Sequence, residues 1–152
     1  MRFRRALVLG IVLAMWLVPS ALAYTRAAES NTLRISDAYY GDLDGDLYAD
    51  DIKILVQFSL GTLNPSKVTI DLQVVLPSGT TYAFRIIVYH PPTSSVLQID
   101  CFDMAYESGM YMVEMSALIS GTSNGKYLAS DTFMFDPPTG GGPGLPTVTA
   151  YF

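Results

Sequence analysis

Lys67-Val68-Thr69-Ile70-Asp71-Leu72-Gln73-Val74-Val75-Leu76 decides the fold class of this chain. Val68, Ile70, Leu72, Val74 and Leu76 alternate with Lys67, Thr69, Asp71 and Gln73. Successive side chains of a strand point to opposite faces, so this pattern predicts a strand with one apolar and one polar face. Pro77-Ser78-Gly79 then predicts a turn, and Tyr82 to Tyr89 a second strand with Tyr82, Phe84, Ile86 and Val88 on one face.

The same period of two recurs on both sides. Upstream, Leu33 to Tyr39 reads as a strand, and Ile52, Ile54, Val56, Phe58 and Leu60 alternate with Lys53, Gln57 and Ser59. Downstream, Leu97, Ile99 and Cys101 line one face of Val96 to Phe102. Tyr111, Val113, Met115, Ala117 and Ile119 line another strand, and Tyr127 to Phe135 is the last before Asp136-Pro137-Pro138. No stretch keeps a helical period. About seven strands at regular spacing predict an all-β, antiparallel β-sandwich.

Between the first two strands lies Gly41-Asp42-Leu43-Asp44-Gly45-Asp46-Leu47-Tyr48-Ala49-Asp50-Asp51-Ile52, in which five of twelve residues are aspartates. Asp42, Asp44, Asp46 and Asp50 fall at relative positions 1, 3, 5 and 9. That spacing can turn alternate carboxylates around one hard cation, with the Tyr48 carbonyl as a further ligand. Asp51 either joins the ligands or steadies them. Without a cation the crowded charges repel one another. Oxygen-only donors on a loop favour Ca²⁺ over transition metals. The run also fits a solvated acidic turn. It is not an EF-hand, because Lys53 stands where the bidentate glutamate would be.

The loop resembles the Asp-x-Asp-Gly-Asp calcium loops of integrin-like FG-GAP and VCBS repeats. Gly45 occupies the first glycine position of that pattern and Asp50-Asp51-Ile52 its closing run, whereas Leu47 replaces a glycine that eases a tight turn. A second resemblance lies in Glu107-Ser108-Gly109-Met110-Tyr111-Met112-Val113, which is similar to the tyrosine corner of immunoglobulin domains. It implies an Ig-like sandwich in which the Tyr111 hydroxyl ties back to the backbone near the preceding turn. Val113 stands at the cysteine position, so the disulfide of antibody domains is excluded. An ordinary turn followed by a strand tyrosine also fits these residues.

Several function classes recede on composition. Residues 1–23 read as a secretory signal peptide, with Arg2, Arg4 and Arg5 before the apolar run Ala6 to Val18 and the small-residue site Ala21-Leu22-Ala23. The expected destination is extracellular or the cell surface, with no membrane span left after cleavage; an uncleaved anchor is the alternative. The chain carries a net charge of -5, and losing those three arginines would bring it to -8. Nucleic acid is therefore not an expected partner. Cys101 is the only cysteine, so no disulfide can form within the chain.

Catalytic patterns are sparse. His90 is the only histidine, which excludes a multi-histidine zinc site. Cys101 lies on an apolar strand face, as a buried thiol would. Asp100, Asp103, Glu107 and Glu114 could by type alone form a carboxylate pair across a cleft, but fit turns and solvent-facing positions equally. The glycine-rich tail precedes no helix and holds no lysine, so it is no phosphate loop. No enzymatic activity is expected.

The expected organisation is a signal peptide at 1–23, a polar leader at 24–31, the sandwich at 32–138 with its calcium loop at 42–51, a Gly/Pro linker at 139–146 and a terminal strand at 147–152. In that hexamer Val148, Ala150 and Phe152 alternate with Thr147, Thr149 and Tyr151, and none is charged. Three readings of it stay open: pairing on its own domain, insertion in a neighbouring subunit, or a frayed end. Two function classes follow. One is a calcium-stabilised structural or adhesive protein, the subunit of a filament or surface matrix joined through the terminal strand as a homo-oligomer or polymer. The other is a secreted ligand-binding module, for carbohydrate above all, using aromatics such as Tyr39, Tyr40, Tyr48 or Tyr89.

Overall fold

The alternating stretch at Lys67–Val75 pairs antiparallel on both sides in the computed structural model. The structure describes residues 25–27, 32–123, 125–136 and 145–152. In chain order the strands are β1 (Thr25–Ala27), β2 (Leu33–Gly41), β3 (Asp51–Ser59), β4 (Lys67–Val75), β5 (Thr81–Tyr89), β6 (Ser94–Phe102), β7 (Tyr111–Thr122), β8 (Gly125–Phe135) and β9 (Thr147–Tyr151). No helix occurs among the described residues. The signal-peptide reading at 1–23 and most of the linker lie outside them.

The strands form two sheets, ordered β1-β8-β7-β4-β5 and β2-β3-β6-β9. All pairs are antiparallel except β1 with β8. The chain is thus an all-β sandwich, as the period-two pattern predicts. Val68, Ile70, Leu72 and Val74 of β4 face Ile52, Ile54, Val56 and Phe58 of β3 across a core from which solvent is excluded. Burying each such side chain contributes roughly 1.5–3 kcal/mol relative to exposure.

Two differences from the sequence reading stand out. The polar leader at 24–31 supplies β1, a three-residue strand too short to show any period. The strand number is nine among the described residues: the expected seven, the expected terminal strand as β9, and β1, which was not expected. The acidic loop accordingly joins β2 to β3.

Tyr111 is fully buried at the start of β7. Its hydroxyl accepts the Glu107 N–H at 2.8 Å and donates to the Glu107 carbonyl at 3.0 Å. The backbone turns there through Gly109, whose φ of 119° and contact with Pro77 leave no comfortable room for a side chain.

Two edges lie on one flank, β5 and β9. The inward side chains Tyr82, Phe84, Ile86 and Val88 of β5 are only half-buried, and Val148 of β9 packs on the same core. Phe152 sets its ring edge-on to Phe58, with centroids 5.3 Å apart. Of the expected contact residues, Val148 packs inward and Phe152 reaches the core, while Ala150 stays exposed.

Candidate metal centre and its surroundings

The acidic loop is built on Asp51, the first residue of β3, which is wholly buried. Its Oδ2 accepts N–H groups from Leu43 at 2.6 Å and Asp44 at 3.2 Å, and its Oδ1 accepts the Asp103 N–H at 2.9 Å. One carboxylate thus fixes both the loop and the end of β6. Buried charge is tolerated because three backbone donors satisfy it.

The exposed aspartates organise the loop locally. Asp42 accepts from Gly45 at 2.7 Å and from Leu47 at 3.2 Å. Asp44 accepts from Asp46, and Asp46 accepts from Tyr48, each two residues on. These side-chain turns curl the carboxylates toward one side. Leu47 takes φ = 77°, a conformation glycine adopts freely and leucine does not. The loop therefore keeps the glycine-type turn despite its leucine.

Two carboxylate groups result. Oxygens of Asp42, Asp44 and Asp51 lie within 4.8 Å of one another, and so do those of Asp44, Asp46 and Asp103. Of the residues picked from sequence, the structure gathers Asp42, Asp44, Asp46 and Asp51. Asp50 stands outside both groups; its side chain is buried, and its carbonyl accepts the N–H groups of Met104 at 2.9 Å and Ala105 at 2.6 Å. Tyr48 donates its N–H to Asp46.

Asp103 was not picked as a ligand by spacing, because it is distant in sequence. Its signal is topological. Ile52 pairs with Cys101, so the residues just beyond β6 fall beside those just before β3. Asp103 sits there at φ = 58°, a conformation aspartate tolerates better than most residues.

Desolvation and neighbouring charges together raise two carboxyl groups above their ordinary values. For Asp103 the largest cause is desolvation, followed by repulsion from Asp50, Asp44, Asp51 and Asp46. For Asp46 the Tyr48 N–H works downward, but desolvation and the charges of Asp44, Asp50 and Asp42 outweigh it. A hard cation would relieve this repulsion. The donors fit one: all are oxygens, and the Asp42, Asp44 and Asp46 oxygens, each accepting at most one of these N–H bonds, keep a lone pair for a metal.

The remaining candidates do not converge. His90 follows β5 at φ = 47°, exposed. Cys101 is buried, and burial, then Asp100 and Asp51, push its thiol up to about 12. Glu107 accepts from the Ser78 N–H and hydroxyl, both at 2.8 Å, and so ties one turn to another.

A second polar cluster lies on the outer face of the β2-β3-β6-β9 sheet. Lys53 Nζ donates to the Tyr151 hydroxyl at 2.9 Å, and that hydroxyl donates to Asp100 Oδ2 at 3.0 Å. Lys53 Nζ also lies 3.1 Å from Asp100 Oδ1, an ion pair without hydrogen-bond alignment, so Oδ1 has no hydrogen-bond partner. The cluster clamps β9 from outside, as Phe152 does from inside.

Comparisons with protein-family models, with curated proteins and with solved structures found no match for this chain.

Proposed function

We propose that this chain is an exported, non-enzymatic, calcium-stabilised sandwich of the immunoglobulin-like type, the subunit of an extracellular filament or surface matrix with a structural or adhesive role. The observation that carries the reading is the gathering of Asp42, Asp44 and Asp51 within 4.8 Å at the junction of β2 and β3. A cation there neutralises the loop at Asp51, whose other oxygen holds the Asp103 N–H at the end of β6. The FG-GAP-like spacing supports calcium as its identity.

The strand order supports the Ig-like type. Sheets β2-β3-β6 and β8-β7-β4-β5 mirror the arrangement of immunoglobulin sandwiches, and the Tyr111–Glu107 bonds match their tyrosine corner. Export is supported by the reading of residues 1–23 as a signal peptide.

A second reading is a secreted carbohydrate-binding module, which the exposed Tyr39, Tyr40 and Tyr48 favour. Tyr39 and Tyr40 are adjacent in β2, and adjacent strand residues point to opposite faces, so these two make no planar row. The structural role is therefore preferred.

The test is thermal unfolding of the secreted product in calcium and in chelator, with its N-terminus determined. A calcium-dependent rise in melting temperature is expected, with a chain beginning at Tyr24. Superimposable curves would remove the basis of the reading.

A further inference from the structure

The edge of β6 is built as a receptor for the last six residues of the chain. β9 pairs with it over five residues, from Gln98 with Tyr151 to Phe102 with Thr147. Contacts are made on both faces of the sheet. Inside, Val148 packs on the core and Phe152 meets Phe58. Outside, Tyr151 fits between Lys53 and Asp100. Lys53 and Asp100 are themselves well buried, so the hydroxyl bridges an ion pair held largely out of solvent. The hexamer carries no charged side chain, so it adds nothing to the repulsion between two acidic molecules.

The connection to β9 is longer than folding back requires. Phe135, at the end of β8, pairs with Tyr111, and Phe102, beside Thr147, leads through the β6–β7 connection to Tyr111. Both ends of the connection therefore lie at one end of the sandwich. Crossing from β8 to β9 spans about three strand spacings and one sheet separation, roughly 18 Å. Eleven residues, 136–146, separate the two strands. They reach up to about 36–40 Å, twice the need. A segment long enough to return to its own sheet with that surplus also reaches a neighbour's.

We propose that the β6 edge accepts residues 147–152 from a second copy of this chain, so that copies join by exchanging β9. The proposal rests on the reading of the chain as a subunit and names its joint. Every contact of β9 on its own sheet is available on a second copy, so exchange loses no bonds. What changes is concentration: the tethered strand competes with an effective concentration in the millimolar range, and crowding of copies shifts the balance. Reciprocal exchange closes a pair, whereas one-way donation propagates head to tail.

The test uses two full-length variants, Phe102→Cys and Thr147→Cys, mixed, unfolded and refolded together over a range of concentrations, then oxidised. Directly opposed strand residues lie within disulfide reach. The expected product is a covalent heterodimer joining one variant to the other, its fraction rising with concentration. The double variant Phe102→Cys/Thr147→Cys is the reference for closure within one chain. Closure in the double variant with no heterodimer up to millimolar protein overturns the proposal, because β9 then stays at home. No cross-link in either sample overturns it too, because β9 then does not occupy the slot. Melting of the same samples with and without calcium reports separately on the subunit reading, so the joint can fail while the calcium-stabilised domain stands.

Discussion

The Tyr111 hydroxyl bonds twice to Glu107, accepting its N–H at 2.8 Å and donating to its carbonyl at 3.0 Å. A single side-chain oxygen thus closes the turn through which the chain passes from one sheet to the other. Replacing it with hydrogen leaves a donor and an acceptor unpaired near the core. Tyr111→Phe should therefore cost about 1–3 kcal/mol, measured by chemical denaturation. A variant as stable as the parent would show that the turn holds itself.

Asp51 and Asp44 should separate architecture from metal binding. Asp51→Ala removes the acceptor for the N–H groups of Leu43, Asp44 and Asp103. It is expected to destabilise the protein by at least about 3 kcal/mol even in chelator. Asp44→Ala alters an exposed residue and should change chelated stability by less than about 0.5 kcal/mol, while blunting the calcium response. For the parent, calcium at one hundred times its Kd should add about 2.7 kcal/mol. Melting curves of the three proteins in calcium and in chelator check all of this.

Leu47 holds a left-handed conformation at φ = 77° with its side chain almost entirely in solvent. That conformation costs a leucine about 1–2 kcal/mol, and glycine returns about 0.5–1 of this as lost chain freedom. Leu47→Gly should thus stabilise the protein by roughly 0.5–1 kcal/mol, read from denaturation midpoints in chelator. A loss of stability would mean that Leu47 contributes a contact that outweighs its strain.

Alkaline pH should loosen β9. The Tyr151 hydroxyl, then Asp100, hold the Lys53 ammonium above its ordinary value of 10.5, against a smaller opposing effect of burial. A raised folded value means that Lys53 contributes stability in full below 10.5 and loses it as the pH climbs through the folded value. The melting-temperature difference between parent and Lys53→Met should be constant from neutral pH to about 10 and then shrink. A difference that stays constant to higher pH would separate Lys53 from the seating of β9.

Cys101 should resist alkylation in the folded protein at pH 8. Its thiol is buried and pushed up to about 12, so thiolate is scarce. Iodoacetamide labelling should appear only with denaturant. Fast labelling of the native protein would show that the strand opens readily.

Much of the sandwich is legible from residues 32 to 135 because both sheets bury one face only. Alternation in β3, β4, β5 and β7 then reports the fold directly, and inward Val68 or Ile54 could not be placed otherwise. β1 escapes such a reading, since three residues joined to β8 by backbone bonds leave no side-chain period. The site is legible in part for a related reason. Spacing within one loop marks Asp42, Asp44 and Asp46, but Asp103 arrives through the pairing of β3 with β6, which no local pattern encodes. Asp50 fits the spacing and stands outside both carboxylate groups, while its backbone carbonyl serves Met104 and Ala105.

That task has its own outcome. The Asp50 carbonyl holds two amides of the stretch leading into β7, Asp51 holds a third, and Tyr111 holds a fourth from the other sheet. The acidic loop and the β6–β7 passage are thus stitched into one unit of opening rather than two neighbouring loops. Amide protons of Asp103, Met104, Ala105 and Glu107 should exchange with solvent at a common rate, and a cation bound some residues away should slow all four together.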